Sequence, residues 1–105
     1  MAEYFDTLET RDPERREREL LLQLPRQIAH AKAHAPAFAR ILAGVDAASI
    51  TTRAALARVP VTRKSELLDL QKLDRPFGGL AATRWGEAMR VFASPGPLYE
   101  PEGRR

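Results

Sequence analysis

The sequence of 105 residues contains no cysteine. This absence excludes disulfide bonds, thiolate catalysis and cysteine-ligated metal sites, and nothing in the chain requires an oxidising compartment. Glu3 and Asp6 lie where a secretory signal would be basic, and no apolar run approaches the roughly 18 residues that span a bilayer. These absences predict a soluble, cytoplasmic protein that has no membrane partner.

Aromatic residues are also scarce, at 7% of positions, and 8 prolines outnumber 6 glycines. The core must therefore be built mainly from Leu, Ala, Val and Ile side chains, and at this length such a core is thin. The composition predicts one small globular unit that is marginally stable unless it packs against something else, and it excludes a large enzyme.

The first half of the chain has the spacing of a long helical stripe. Asp12 is a suitable cap and Pro13 a suitable first residue, so we expect a helix to begin there. Pro25 predicts a kink or restart, and Pro36 predicts a new helix that ends before Gly44. Three helical segments should then share one buried face, which consists of Leu21, Leu24, Ile28, Ala31, Ala35, Phe38 and Leu42.

The second half predicts two further helices and one strand. A short helical patch covers residues 53–58, and Thr62 is the expected cap of a helix over residues 63–73. Residues 89–94 have strand composition, whereas three prolines and two glycines predict a loop over residues 95–103. A single unpaired strand is incomplete, so we expect the chain to be either the amino-terminal piece of a longer protein or a product truncated after its first sheet strand.

Two groups of polar residues could carry a function of their own. His30 and His34 lie one helical turn apart, but no third ligand is evident, so exposed or capping histidines are favoured and no metal site is predicted. Arginines over residues 15–26 could form a basic strip. Interleaved acids favour exposed ion pairs, however, and we predict no nucleic-acid binding.

Four ordered sequence blocks lie at residues 24–42, 56–67, 76–80 and 90–94. These blocks resemble the amino-terminal region of phenylacetate-CoA ligases, and nearly the whole chain takes part in the resemblance. Such enzymes belong to the adenylate-forming superfamily, which activates a carboxylate with ATP and transfers the acyl group to coenzyme A.

The resemblance implies a mainly α fold with one or two short strands, forming the amino-terminal fragment of a larger α/β adenylate-forming domain. Residues 1–88 would be a helical subdomain, and residues 89–105 would hold the first sheet strand and an altered nucleotide loop. ATP, magnesium and coenzyme A are implied for the full-length relative only. The implied partners are the remainder of the ligase chain and a small-molecule carboxylate, and a homodimer is possible.

The family loop after this strand surrounds the ATP phosphates, and Ser94 and Gly96 occupy its matching positions, so they are the predicted cofactor-binding residues. Pro95 and Pro97 stand where the family prefers hydroxyls or glycine, and Glu100 stands where it prefers lysine. Two prolines remove amide donors and a carboxylate repels phosphate, so the loop is expected to bind ATP poorly or by another geometry.

No catalytic residue is predicted, since the implied catalytic motifs lie outside this sequence, and the chain alone should be inactive. Four aromatic side chains could line an acyl pocket, although core packing is the commoner role: Phe77, Trp85, Phe92 and Tyr99. The alternative function is a small, non-catalytic helical interaction module, in which the stripe from Leu21 to Leu42 binds a partner.

Overall fold

The computed structural model describes residues 3–104 and is mainly helical. Residues 1, 2 and 105 lie outside the described residues. The first two belong to the predicted helical subdomain over residues 1–88, and the last belongs to the predicted strand and loop region over residues 89–105. Short 3-10 turns occur at Ala47–Ser49 and Trp85–Glu87. Four α-helices precede two strands: α1 Pro13–His34, α2 Pro36–Ile41, α3 Arg53–Leu56, α4 Lys64–Leu73, β1 Arg90–Ser94 and β2 Leu98–Glu102.

Helix α1 begins as predicted, because the Asp12 carboxylate accepts a hydrogen bond from the Arg15 N–H at 3.0 Å and Pro13 takes the first position. The predicted restart at Pro25 was wrong, since α1 runs through it as one helix of 22 residues, and the alternative, a kink, stays a prediction. A proline inside a helix removes one backbone hydrogen bond and crowds the preceding turn, and together these effects destabilise the helix by about 3 kcal/mol. The apolar stripe continues into the same core on both sides of Pro25, and that packing holds the helix together.

The break at Pro36 was predicted correctly. Ala35 has extended backbone angles, α1 ends before it and α2 begins at Pro36. Ala35 and Ala37 are both buried, and the Ala37 N–H donates to the Gly79 carbonyl at 2.9 Å. The joint between the two helices is therefore tied directly to the segment that follows α4.

The main hydrophobic cluster lies between α1, α2 and the segment that contains α3. Its buried members are Ile28, Leu42, Ile50 and Ala55. Other residues of the predicted stripe, including Leu24 and Phe38, pack around these buried members. The chain's own residues thus cover the face that the alternative function would offer to a partner.

The two helices of the second half begin differently. Thr52 caps α3, because its hydroxyl accepts from the Ala55 N–H at 3.1 Å. The prediction that Thr62 caps α4 was wrong. Helix α4 begins one residue later, Arg63 takes the cap position, and no side-chain hydrogen bond closes that end.

Helix α4 ends at Leu73, as predicted, and the chain then reverses, which brings two backbone segments into close contact. Gly78 has φ +63°, and a Cβ there would lie 2.7 Å from the Gln71 nitrogen in the helix above. Glycine is required at this position, because any side chain would collide with backbone and the positive φ is strained for other residues. The next glycine, Gly79, has φ +74° and carries the carbonyl that Ala37 binds.

The prediction of a lone strand followed by a loop was wrong. Strands β1 and β2 form an antiparallel hairpin, in which Ser94 is opposite Leu98 and Arg90 is opposite Glu102. The prolines that predicted a loop are placed where they cost little: Pro95 and Pro97 lie in the turn, and Pro101 takes a position whose N–H would point away from β1. The chain therefore supplies one of the neighbours that β1 was expected to lack.

Ion pairs tie the first helix to its surroundings. Arg53 of α3 donates to both carboxylate oxygens of Glu17, with Nη2 2.9 Å from Oε2. Glu19 accepts from Arg11 and from Arg15, the latter at 2.7 Å. These bonds are the first cause of the lowered pKa of Glu17 and of Glu19.

Among residues 3–104, no helix combines the length and the apolar character needed to cross a membrane.

Replacing Ile28 with Ala should destabilise the fold by about 2–5 kcal/mol, because Ile28 is only 7% exposed and its loss opens a cavity in the main cluster. Leu22→Ala on the same helix is the control. Its side chain is 74% exposed, so it should change stability by less than about 0.5 kcal/mol. Urea unfolding monitored by circular dichroism measures both values, and equal effects would contradict the assignment of the core.

The pair between Glu17 and Arg53 should make stability depend on pH. Its contribution is present above the ordinary carboxyl pKa of 4.5 and is lost as pH falls through the lowered pKa of the folded state. Glu17→Gln and Arg53→Gln should each reduce the loss of melting temperature on acidification, and combining them should add nothing further. Thermal melts across the acid range test this, and additive effects would show that the two residues act separately.

Candidate functional site

The predicted cofactor-binding residues lie in and beside the hairpin turn. Ser94 is the last residue of β1, and its hydroxyl donates to the Leu98 carbonyl at 3.4 Å. Gly96 lies between two prolines with φ +148°, and a Cβ there would lie 2.8 Å from a Leu68 methyl group on α4. The turn therefore packs closely against α4, and only glycine fits its centre.

The turn has few of the groups that hold a triphosphate. Pro95 and Pro97 have no N–H, so Gly96 supplies the only backbone donor inside the turn. The Ser94 hydroxyl already has a partner, and the exposed side chain two residues into β2 is the carboxylate of Glu100. Phosphate sites need converging donors and positive charge, and this turn fits ATP poorly. The assignment of Ser94 and Gly96 to phosphate contact stays a prediction.

A buried glutamine holds the hairpin against α4. The Gln71 side chain is 1% exposed, and its amide accepts from the Tyr99 N–H and donates to the Tyr99 carbonyl, both at 2.9 Å. The same Nε2 lies 3.4 Å from the Phe77 carbonyl in the chain reversal. One side chain thus binds the outer edge of β2 as a neighbouring strand would, and it also binds the loop that follows its own helix.

Beside this glutamine is a cleft of about 180 Å³. Its walls come from α2, α4, the chain reversal and β2, and apolar side chains dominate them, among them Phe38, Leu67, Phe77 and Leu98. Glu100 is the single charged residue in the lining. An apolar cleft with one carboxylate favours small uncharged or cationic groups over carboxylates and phosphates.

The structure brings together three of the four aromatic residues that were considered for a pocket. Phe77 and Tyr99 both line the cleft, and the Trp85 ring packs against Phe77 with their centroids 5.7 Å apart. Trp85 itself is 63% exposed, and Phe92 lies on β1, outside the lining. Phe77 is buried, so packing is its observed role.

The remaining candidates stay apart from this region. The rings of His30 and His34 are adjacent on α1, with centroids 4.8 Å apart. Within residues 3–104, no three His, Cys, Asp or Glu side chains group as a metal site would require. Of the arginines over residues 15–26, Arg15 is engaged by Glu19, as the interleaved charges predicted. Arg11 and Arg53, which lie outside that range, are also paired with carboxylates.

Sequence reasoning missed Gln71. It lies in the helical pattern of residues 63–73 between Leu70 and Lys72, and nothing local distinguishes a buried glutamine from an exposed one. The only available signal was the position of Gln71, one turn after Leu67 and Leu68, which places it on the apolar side of α4.

Comparison with solved structures identifies the fold. The chain matches no protein-family model and no curated protein. It is similar to a crystal structure of 2-hydroxyisobutyryl-CoA ligase in the postadenylation state with 2-HIB-AMP, at 27% identity and a TM-score of 0.77, over 88% of this chain and 20% of that one. The chain has the fold of a segment of an adenylate-forming CoA ligase.

A second structure of 2-hydroxyisobutyryl-CoA ligase, in complex with R3-HIB-AMP, gives the same result. It has 24% identity and a TM-score of 0.80, and the match covers 97% of this chain and 24% of that one. The chain thus spans about a fifth to a quarter of the length of the ligases that it matches. The resemblance at superfamily level and the mainly helical fold with two short strands are confirmed.

Replacing Gln71 with Leu should destabilise the protein by about 1–3 kcal/mol, because the polar groups of Tyr99 lose their partner. The Tyr99 amide should then exchange its hydrogen faster. Lys72→Leu is a matched control on an exposed position, and it should leave exchange at Tyr99 unchanged. Hydrogen exchange followed by NMR measures the difference, and an unaltered Tyr99 rate in Gln71→Leu would contradict this role.

Proposed function

We propose that this chain is a structural part of a cytoplasmic acid-CoA ligase of the phenylacetate-CoA ligase type. Such a ligase activates a carboxylate with ATP and forms an acyl-CoA thioester. The fold likeness to 2-hydroxyisobutyryl-CoA ligase at 27% identity is the observation that supports this proposal. The partners of the chain would be the remainder of the ligase polypeptide and, through it, a small-molecule carboxylate.

The role of this segment would be to support the enzyme rather than to perform its chemistry. Its own cleft is apolar and carries the carboxylate of Glu100, and its turn has one backbone donor between two prolines. ATP, magnesium and coenzyme A would be held mainly by residues outside this segment. If Ser94 and Gly96 touch the nucleotide, they contribute little to its affinity.

The core of the molecule does not favour a helical interaction module as a second function. Its partner surface was the stripe from Leu21 to Leu42, and Ile28 and Leu42 within that stripe are buried in the chain's own core. A partner could reach them only if that core opened.

The purified chain should release no pyrophosphate from ATP, whether phenylacetate or 2-hydroxyisobutyrate is supplied, because its turn and cleft lack the groups that hold a triphosphate. A coupled pyrophosphate assay with a no-protein blank measures this. Release above the blank would refute the prediction of inactivity.

Fragment complementation tests the ligase assignment itself. The portion of 2-hydroxyisobutyryl-CoA ligase outside the matched segment is prepared, and acyl-CoA formation is measured after adding this chain. We expect partial activity with the chain and less with its Gln71→Leu variant, whose hairpin loses the two hydrogen bonds between Tyr99 and α4. The ligase's own segment is the positive control. Recovery with that segment and none with this chain would contradict the proposal.

A further inference from the structure

The outer edge of β2 is closed to further strands. Gln71 binds both the N–H and the carbonyl of Tyr99, and Pro101 has no N–H to offer. The residues on either side of this proline, Glu100 and Glu102, add negative charge to the same strand. Short strands that carry proline and charged residues are typical of the last strand of a sheet. Strand β2 therefore has the chemistry of a sheet edge.

The outer edge of β1 has the opposite character. Tyr99 turns its backbone groups away from β1 towards Gln71, and Ala93 lies opposite Tyr99 in the register. By the alternation of an antiparallel pair, Ala93 and Val91 therefore point their N–H and C=O groups away from β2. Within residues 3–104, neither of them makes a backbone hydrogen bond outside the hairpin. This edge offers two donors and two acceptors to a further strand.

The side chains of β1 are those of a strand covered on both faces. Val91, Phe92 and Ala93 are three consecutive apolar residues, and successive residues of a strand point to opposite faces. Val91 is 39% exposed and Phe92 is 52% exposed, so each face of β1 presents an apolar side chain to solvent. Continuous apolar runs are typical of strands inside a sheet that has a layer packed on each face. A single added strand would satisfy the backbone of β1 but leave both of its faces exposed.

The partner of this edge must therefore supply packing layers as well as a strand. The fold match covers 20% and 24% of the two 2-hydroxyisobutyryl-CoA ligase chains, which leaves three-quarters or more of each ligase outside the matched segment. We propose that β1 pairs with a strand from the remainder of the ligase polypeptide, and that β2 is the terminal strand of the resulting sheet. This inference rests on the proposed function and adds which edge joins the rest of the enzyme.

Gln71 gives this docking its direction. Because its amide occupies the backbone groups of Tyr99, an incoming strand can pair with β1 but not with β2. The order of strands is then fixed as the added strand, β1 and β2, and the sheet grows on one side only. A side chain that holds the hairpin against α4 thus also determines where the rest of the enzyme binds.

Hydrogen exchange in the chain alone tests the two edges. We expect fast exchange at Val91 and Ala93, whose N–H groups point outward, and slow exchange at Phe92, whose N–H points into the hairpin. Tyr99 should also exchange slowly, because Gln71 accepts its N–H. Slow exchange at Val91 and Ala93 would overturn the proposal, since these amides would then already have partners.

Hydrogen exchange during fragment complementation tests the occupant of the edge. The portion of 2-hydroxyisobutyryl-CoA ligase outside the matched segment is added to the chain, and acyl-CoA formation is followed alongside amide exchange. Exchange at Val91 and Ala93 should slow by about tenfold or more as the complex forms. Exchange at Tyr99 should stay as it was, because its N–H is already bound.

A proline variant isolates the contribution of one outward N–H. Ala93→Pro removes this donor without removing a hydrogen bond of the hairpin, so it should weaken binding of the ligase portion by about tenfold. Ala93→Ser keeps the N–H and nearly the same size at this exposed position, and it should bind nearly as well as the unaltered chain. Circular dichroism checks that both variants are folded.

The results distinguish this inference from the proposed function. Acyl-CoA formation without slower exchange at Val91 and Ala93 would overturn the strand pairing and leave the ligase assignment intact. Equal binding of the Ala93→Pro and Ala93→Ser variants would do the same. Activity with the ligase's own segment and none with this chain would overturn both proposals.

Discussion

The arrangement of this molecule depends on one buried amide. Gln71 binds the backbone of Tyr99 in β2 and also approaches the carbonyl of Phe77, so a single side chain fixes α4, the chain reversal and the hairpin relative to one another. Isolated two-stranded hairpins are marginally stable in water. Here a side chain takes the place of a second strand beside β2, and the polar groups of that side chain are satisfied by the same bonds.

Around this joint the molecule has two parts. The first part, from α1 to α3, has its own apolar cluster around Ile28, and the Glu17 to Arg53 pair binds α1 to α3 at its surface. The second part consists of α4 and the hairpin, with the apolar cleft beside them. The Ala37 to Gly79 hydrogen bond connects the two parts through backbone atoms, and a Cβ at Gly79 would lie 3.2 Å from the Ala37 nitrogen, so their close approach requires glycine at this position.

Local signals in the sequence were sufficient for much of the helical part. The cap at Asp12, the new helix at Pro36, the end of α4 and strand β1 follow from chemistry within a few residues. The errors arose where distant packing decides the outcome. Pro25 stays within α1 because the stripe packs on both sides of it. Residues 98–102 form a strand because β1 and Gln71 supply partners, although their composition predicts a loop.

The candidate site was less accessible to sequence reasoning than the fold. The resemblance indicated a CoA ligase fold, and Ser94 and Gly96 were found in and beside a turn, but neither the apolar cleft nor Gln71 could be inferred. A cleft is a product of tertiary packing: its walls combine Phe38, Leu67 and Leu98, which are far apart in the sequence. Its lone carboxylate, Glu100, was noted only as a departure from a phosphate loop.

The close contact at Gly78 has a consequence for how such a segment can diversify. The glycine fixes where the polypeptide leaves α4, and Gln71 fixes where it returns as β2. The stretch between Ala81 and Ala88 is a largely exposed connection between these two fixed points. Lengthening or shortening it would alter the surface beside Trp85 while leaving the strand register intact. A change in the length of this loop would therefore create a new contact surface with little loss of folding stability.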